Sequence, residues 1–168
     1  MSSKQKAEQT CLEMITQRGY VIIDYENITA VKPDGTKMIV FFNESPNFDT
    51  KSMKEIFSVM TESGVTHSIV VYKDKVTPAT KNTLEQSEDI VIELFCEDDL
   101  QFNITKHRLQ PTFEKLPDDE AVLFKKMYGT KFGILRVDRP ISRFYNYQRG
   151  DVIRVKRSDG YINYRIVR

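Results

Sequence analysis

Three short apolar runs, 37–42 (KMIVFF), 68–72 (SIVVY) and 89–95 (DIVIELF), alternate with stretches of helical periodicity. This alternation constrains the first hundred or so residues more than any other feature. The first two read as buried strands and the third as a further strand. After the first run, Met53, Ile56, Phe57 and Met60 fall at i, i+3, i+4 and i+7, one stripe of an amphipathic helix that Gly64 ends. After the second, Thr77-Pro78 opens another helix, with Thr77 as N-cap and Pro78 at the first helical position, where its missing N–H costs nothing. Strands alternating with helices predict an α/β layer with a partly parallel sheet. Around this frame, 8–18 (EQTCLEMITQR) places Cys11, Leu12 and Ile15 on one helical face with Gly19 as a stop. Residues 20–23 read as a strand, 33–36 (Pro-Asp-Gly-Thr) as a turn, 43–48 as a loop and 101–105 (QFNIT) as a further strand.

Beyond Arg108 the character changes. Gln110-Pro111 and Leu116-Pro117 bracket an expected linker at 109–117, dividing the chain into domains 1–108 and 118–168. Pro117-Asp118-Asp119-Glu120 has the acidic first turn of a helix running to Gly129. The end of the chain carries Asp159-Gly160 between two alternating segments, 151–157 and 161–167, a strong hairpin signal. Ile162, Tyr164 and Ile166 then share one face of the second strand, and Asn163 and Arg165 the other. In 168 residues two separate cores are each thin and invite support from a partner.

Cys11 and Cys96 lie far apart without a CxxC companion, which excludes a disulfide framework and a cysteine-based zinc site and suggests a reducing compartment. The first ten residues are polar, and no run reaches the length of a membrane span, so a soluble intracellular protein is expected. Asn27-Ile28-Thr29 and Asn103-Ile104-Thr105 match the glycosylation pattern but read as ordinary loop or strand residues.

The formal net charge is +1, yet its distribution is uneven. Residues 124–168 hold twelve lysines and arginines against three aspartates, a net +9, and the remainder carries −8. A basic end on an acidic body implies an anionic partner, either nucleic acid or an acidic protein surface.

Signals for catalysis are few. His67 and His107 each lack an i, i+4 partner or a nearby cysteine and read as structural or surface residues; all seven glycines are isolated, without a phosphate-cradling motif. Glu97-Asp98-Asp99 reads as a solvated turn. One enzymatic pattern occurs: Pro33-Asp34 followed by Asp49-Thr50-Lys51 is similar to the PD…(D/E)xK signature of metal-dependent nucleases, in which two carboxylates converge on Mg²⁺ beside a lysine. Asp34 falls in a turn and Asp49 just before a helix, where it reads better as a cap.

Two clusters suit binding. In the first, Lys73, Lys75, Thr77, Pro78, Thr80 and Lys81 surround the start of a helix, whose free N–H groups and partial positive charge suit a phosphate. The second interleaves arginines of the tail with Phe144, Tyr145, Tyr147, Tyr161 and Tyr164. Such a set can stack on single-stranded nucleic acid, anchor a protein interface, or form the core of a small β domain.

The tail also resembles the assembly domain of the fifth subunit shared by the eukaryotic nuclear DNA-dependent RNA polymerases, a family with an archaeal counterpart that lacks the N-terminal part. Three blocks in order carry the likeness: 138–145 (DRPISRFY), 149–155 (RGDVIRV) and 161–167 (YINYRIV). Upstream, Arg18-Gly19-Tyr20, Val40-Phe41-Phe42, Thr77-Pro78-Ala79-Thr80-Lys81 and 103–107 (NITKH) resemble further family segments. Arg139 stands between Asp138 and Pro140 where the family sets Asp beside Pro, and the 19–38 stretch is shorter than in cellular members. The compaction suits a large DNA virus or a reduced genome.

The resemblance implies a non-catalytic polymerase subunit with no cofactor, no metal, no small-molecule substrate and no membrane association. It implies an α/β, jaw-like N-terminal domain similar in layering to restriction endonucleases, lying beside downstream duplex DNA with Lys73 to Lys81 nearest the phosphates. It also implies a small α+β assembly domain, ending in the hairpin, that docks on the largest subunit and neighbouring subunits. Asp138, Pro140, Arg143, Phe144, Tyr145, Arg149, Gly150, Tyr161, Tyr164 and Arg165 are the expected interface residues. The expected location is the nucleus or, for a viral protein, the virion or a cytoplasmic viral factory. A stand-alone nucleic-acid-binding module and a nuclease are the alternatives.

Overall fold

A computed structural model describes residues 1–168, which divide into two units, Met1–Phe102 and Asn103–Arg168. No helix is long and apolar enough to cross a membrane.

The first unit opens with α1 (Ser3–Gln17). It starts ahead of its periodic stripe because Ser2 and Gln5 form a reciprocal capping box. Of the strands β1 (Val21–Asp24), β2 (Thr29–Val31) and β3 (Lys37–Phe42), the middle one pairs antiparallel with each of the others. The two-residue β4 (Asn47–Phe48), α2 (Thr50–Ser63), β5 (His67–Tyr72), the two-residue β6 (Lys75–Val76), α3 (Pro78–Glu85) and β7 (Val91–Cys96) follow. The main sheet has the order β1-β2-β3-β5-β7, with β3, β5 and β7 parallel, so the alternation in the sequence is a true α/β crossover pattern. The small strands β4 and β6 pair in parallel beside it.

One sheet face, carrying Ile39, Val70 and Ile92, packs on the Met53, Ile56 and Met60 stripe of α2. Asp49 caps α2 by accepting from the Ser52 N–H, and Gly64 ends it at φ 65°, where a side chain would be strained. The turn at 33–36 forms as expected, with Asp34 Oδ1 accepting from the Thr36 N–H.

The second unit contains β8 (Thr112–Lys115), α4 (Asp118–Tyr128), β9 (Gly133–Leu135), α5 (Pro140–Tyr145), β10 (Val152–Lys156) and β11 (Ile162–Val167). Its sheet has the order β8-β10-β11-β9, with β9 parallel to β11. The hairpin forms as expected, its register running from Val152 opposite Ile166 to Lys156 opposite Ile162, and Gly160 closes it at φ 86°. One sheet face carries Ile153, Val155 and Val167 against Ile141 and Tyr147; the other carries Val152 and Tyr164 against Ala121 and Phe124 of α4.

Four expectations are corrected. The 101–105 strand is absent: Glu97–Leu100 and Ile104–Lys106 are 3₁₀ turns, the second set by Asn103, whose side chain accepts from the Thr105 N–H and hydroxyl. The loop at 43–48 contains β4. The linker at 109–117 contains β8, which pairs with β10, and the division falls after Phe102 instead of Arg108. Polar residues there bond across a sheet, and periodicity is blind to that pairing. The short elements β2, β9 and α5 leave no signal in the sequence pattern, since each is too brief to show a period.

Candidate interaction surfaces

The segment 73–81 is built from two parallel crossovers. Phe48 O accepts from the Thr77 N–H and Pro46 O from the Asp74 N–H, which holds the start of α3 beside the start of α2. Thr80 is fully buried; its hydroxyl lies 2.7 Å from that of Thr77 and 3.4 Å from that of Thr50. Two corrections follow. Thr77 occupies the N-cap position but makes no side-chain cap bond, and Thr80 supports the two helix starts without facing solvent. Lys75, Pro78 and Lys81 are exposed, and Lys73, also exposed, is paired with Glu44. Two helix N-termini thus lie side by side, one lacking a side-chain cap, with Lys75 and Lys81 around them. The start of α3 offers backbone donors and partial positive charge there, whereas the Asp49 carboxylate already caps α2.

Elsewhere in this unit lies a cluster that the sequence reading missed. Arg18 reaches both oxygens of Glu93, at 2.7 and 2.8 Å, and His67 Nε2 lies 2.6 Å from Glu93 Oε1. The Arg18 side chain is only 4% exposed and that of Glu93 12%. Burial pushes the Glu93 carboxyl up, but the hydrogen bonds from His67 and Arg18 outweigh it and hold the group below its usual range. Arg18 is therefore a clamp between α1 and β7, and His67 is the structural residue expected. The neighbouring thiol of Cys11 is raised to about 12, chiefly by burial, and is inert.

The nuclease pattern separates into two local devices. Asp34 and Asp49 each accept nearby backbone N–H groups, and these bonds lower both carboxyls. Each carboxylate is occupied in ordering its own turn or helix start.

The expected interface residues of the second unit fall into three groups. Phe144 is buried in the core, and Tyr164 packs against Phe124 with ring centroids 4.5 Å apart. Tyr145 is half-buried and stacks on Tyr147 at 5.4 Å. Gly150 sits at φ 92° with its carbonyl taken by Lys125 Nζ. These residues build the unit. Asp138, Pro140, Arg149 and Tyr161 are exposed, with Arg157 over the Tyr161 ring and Arg136 bonded to Asp138. Arg143 and Arg165 are half-buried, Arg165 donating to Ile134 O. The inserted Arg139 takes the N-cap position of α5 with extended backbone, so Pro140 still opens that helix. A surface the sequence did not reveal lies on α4, where Val122, Leu123 and Met127 are exposed.

The chain thus comprises two mixed α and β units, the second of them edged with arginine and tyrosine. Residues 102–167 match the family model described as RNA polymerase Rpb5, C-terminal domain. The whole chain is similar to a protein of Invertebrate iridescent virus 6, provisionally named DNA-directed RNA polymerase subunit 454R, at 32% identity over 97% of this chain and 98% of the relative. It is 29% identical to the Dictyostelium discoideum subunit rpabc1 of DNA-directed RNA polymerases I, II and III, over 94% of this chain and 93% of that protein. The Caenorhabditis elegans subunit RPABC1 is 30% identical over 78% of this chain and 66% of its own length. The chain belongs to the Rpb5 family of DNA-directed RNA polymerase subunits. Its place is in transcription, as a subunit without catalytic function.

Proposed function

We propose that the second unit anchors this protein on the largest polymerase subunit while the first, jaw-like unit lies near downstream duplex DNA. The observation that carries the DNA half is the pair of adjacent helix starts at α2 and α3, flanked by exposed Lys75 and Lys81. Backbone N–H groups and lysines read phosphates without reading sequence, as a polymerase moving along any template requires. The anchoring half is supported by the exposed Val122, Leu123 and Met127 of α4 and by the arginines and Tyr161 at the hairpin. Aromatic and arginine side chains are the usual anchors of protein interfaces. The location that follows is that of the polymerase served: the nucleus or, for a viral enzyme, the virion or a viral factory.

The test is a salt challenge of polymerase complexes on a downstream duplex. Lys75→Glu with Lys81→Glu should leave subunit incorporation intact, weaken retention on DNA, and reduce the salt slope by roughly one per lost phosphate contact. Retention equal to that of the unaltered complex at every salt concentration would remove the DNA half of the reading.

A further inference from the structure

In the second unit, the edge strand β9 and the start of α5 border an open groove of about 670 Å³. Its floor is apolar: Ile104, Leu135 and Ile141, with Ile134 and Pro140 at the sides. Its rim is cationic. Arg136 is shared with Asp138, whereas Arg139 and Arg165 form no ion pair, leaving three guanidinium groups against one carboxylate. The walls are pinned from behind: the buried Ser142 hydroxyl donates to Arg136 O, and the Arg168 N–H donates to Leu135 O. The groove is therefore a fixed feature of this fold.

We propose that this groove receives an acidic linear segment of a polymerase partner, with one large aliphatic side chain on the isoleucine–leucine floor and flanking carboxylates on Arg139 and Arg165. The inference rests on the anchoring half of the proposed function and gives it a location and a chemistry. Three physical points select the occupant. An apolar floor is matched by apolar side chains and is wasted on a phosphodiester. Single-stranded nucleic acid needs aromatic faces to stack on, and no residue lining the groove is aromatic. Arg165, and Arg139 beside the Asp138 carboxylate it shares with Arg136, hold guanidinium groups not locked in ion pairs, and such groups match carboxylates in bidentate geometry. The net +9 of residues 124–168 is thereby assigned, at this groove, to an acidic protein segment in preference to DNA.

The experiment has two arms, both with the full-length chain. In the first, tagged chain is used to recover polymerase, and retention is compared for wild type, Arg139→Glu/Arg165→Glu and Arg139→Lys/Arg165→Lys. In the second, binding is measured by fluorescence anisotropy with two probes, a labelled Asp-Glu-Leu-Leu-Asp-Glu peptide and a short DNA duplex. The double Glu variant should lose peptide affinity and polymerase retention by about tenfold or more, and the Lys variant should lose far less. Ile134→Asp, at a half-exposed position, should reproduce the loss without altering any arginine. Asp138→Asn should tighten peptide binding a few-fold by freeing Arg136. These last two variants carry the test if the double Glu variant fails to fold. Retention and peptide binding equal to wild type in the Glu and Asp variants would overturn the proposal while leaving the anchoring itself standing. Loss of duplex affinity alone would overturn it in favour of nucleic acid. A wild-type chain that recovers no polymerase would sink the anchoring reading, and the peptide arm would then decide the groove on its own.

Discussion

The two units use arginine in opposite ways. In the first, Arg18 is turned inward and held on both oxygens of Glu93, so its charge is spent within the fold. In the second, Arg139, Arg149 and Arg157 are exposed around a small four-stranded sheet, and that charge stays available. A parallel sheet is a buried structure, and a charge entering it must bring its partner. A thin, largely antiparallel sheet has too little interior to hide long side chains and displays them. Counting basic residues therefore says little about binding; what matters is whether a carboxylate waits in the core.

The sharpest way to break this contrast is to strip the inward arginine of its charge. Arg18→Met should cost about 3–5 kcal/mol, because it leaves the Glu93 carboxylate buried with only His67 beside it. Thermal denaturation reads the loss. In the wild type, the lowered Glu93 carboxyl contributes stability that is present above its ordinary value and lost as pH falls through the lowered one. Without Arg18, only His67 opposes the burial penalty, so less of that stability is present at neutral pH. The gap between the two proteins should thus widen from acid to neutral pH, and a constant gap would show that Glu93 is not the coupled group.

A smaller effect separates two tyrosines of the hairpin. Tyr164→Ala removes a ring packed on Phe124 and should destabilise the second unit by roughly 2–3 kcal/mol. Tyr161→Ala removes an exposed ring and should leave melting nearly unchanged while lowering polymerase retention. Equal effects on stability would erase the distinction between framework and surface.

The smallest stability change is expected on α4. Leu123→Asp and Met127→Asp, both at exposed positions, should move stability by less than about 0.5 kcal/mol each. A cooperative loss of folding instead would mean that these side chains are needed within the unit. Polymerase retention should fall, as for Tyr161→Ala.

Much of the frame is legible in the sequence. The continuous apolar runs became β3, β5 and β7, the Met53 stripe became the buried face of α2, and Asp159-Gly160 became the hairpin turn, because each is a local signal with one physical meaning. The Arg18 clamp had a visible trace, a lone glutamate inside the apolar run 89–95, which demands a buried cation. Which cation supplied it was not legible, since 75 residues separate the pair. The interface residues were only partly separable: Phe144 and Tyr164 share tail motifs with Tyr161, yet the first two pack inward.

The sequence by itself determined the order of the longer elements, the helix and turn boundaries that polar caps and glycines mark, the imbalance of charge and the family. Those properties depend on residues within a few positions of one another, or on motifs read in order. Only the tertiary structure decided which strands neighbour which, that Thr80 and Phe144 turn inward, and that Arg139 and Arg165 line one groove. Parallel pairing and groove formation join residues far apart in the chain, and no local pattern records which of many such meetings the packed chain will choose.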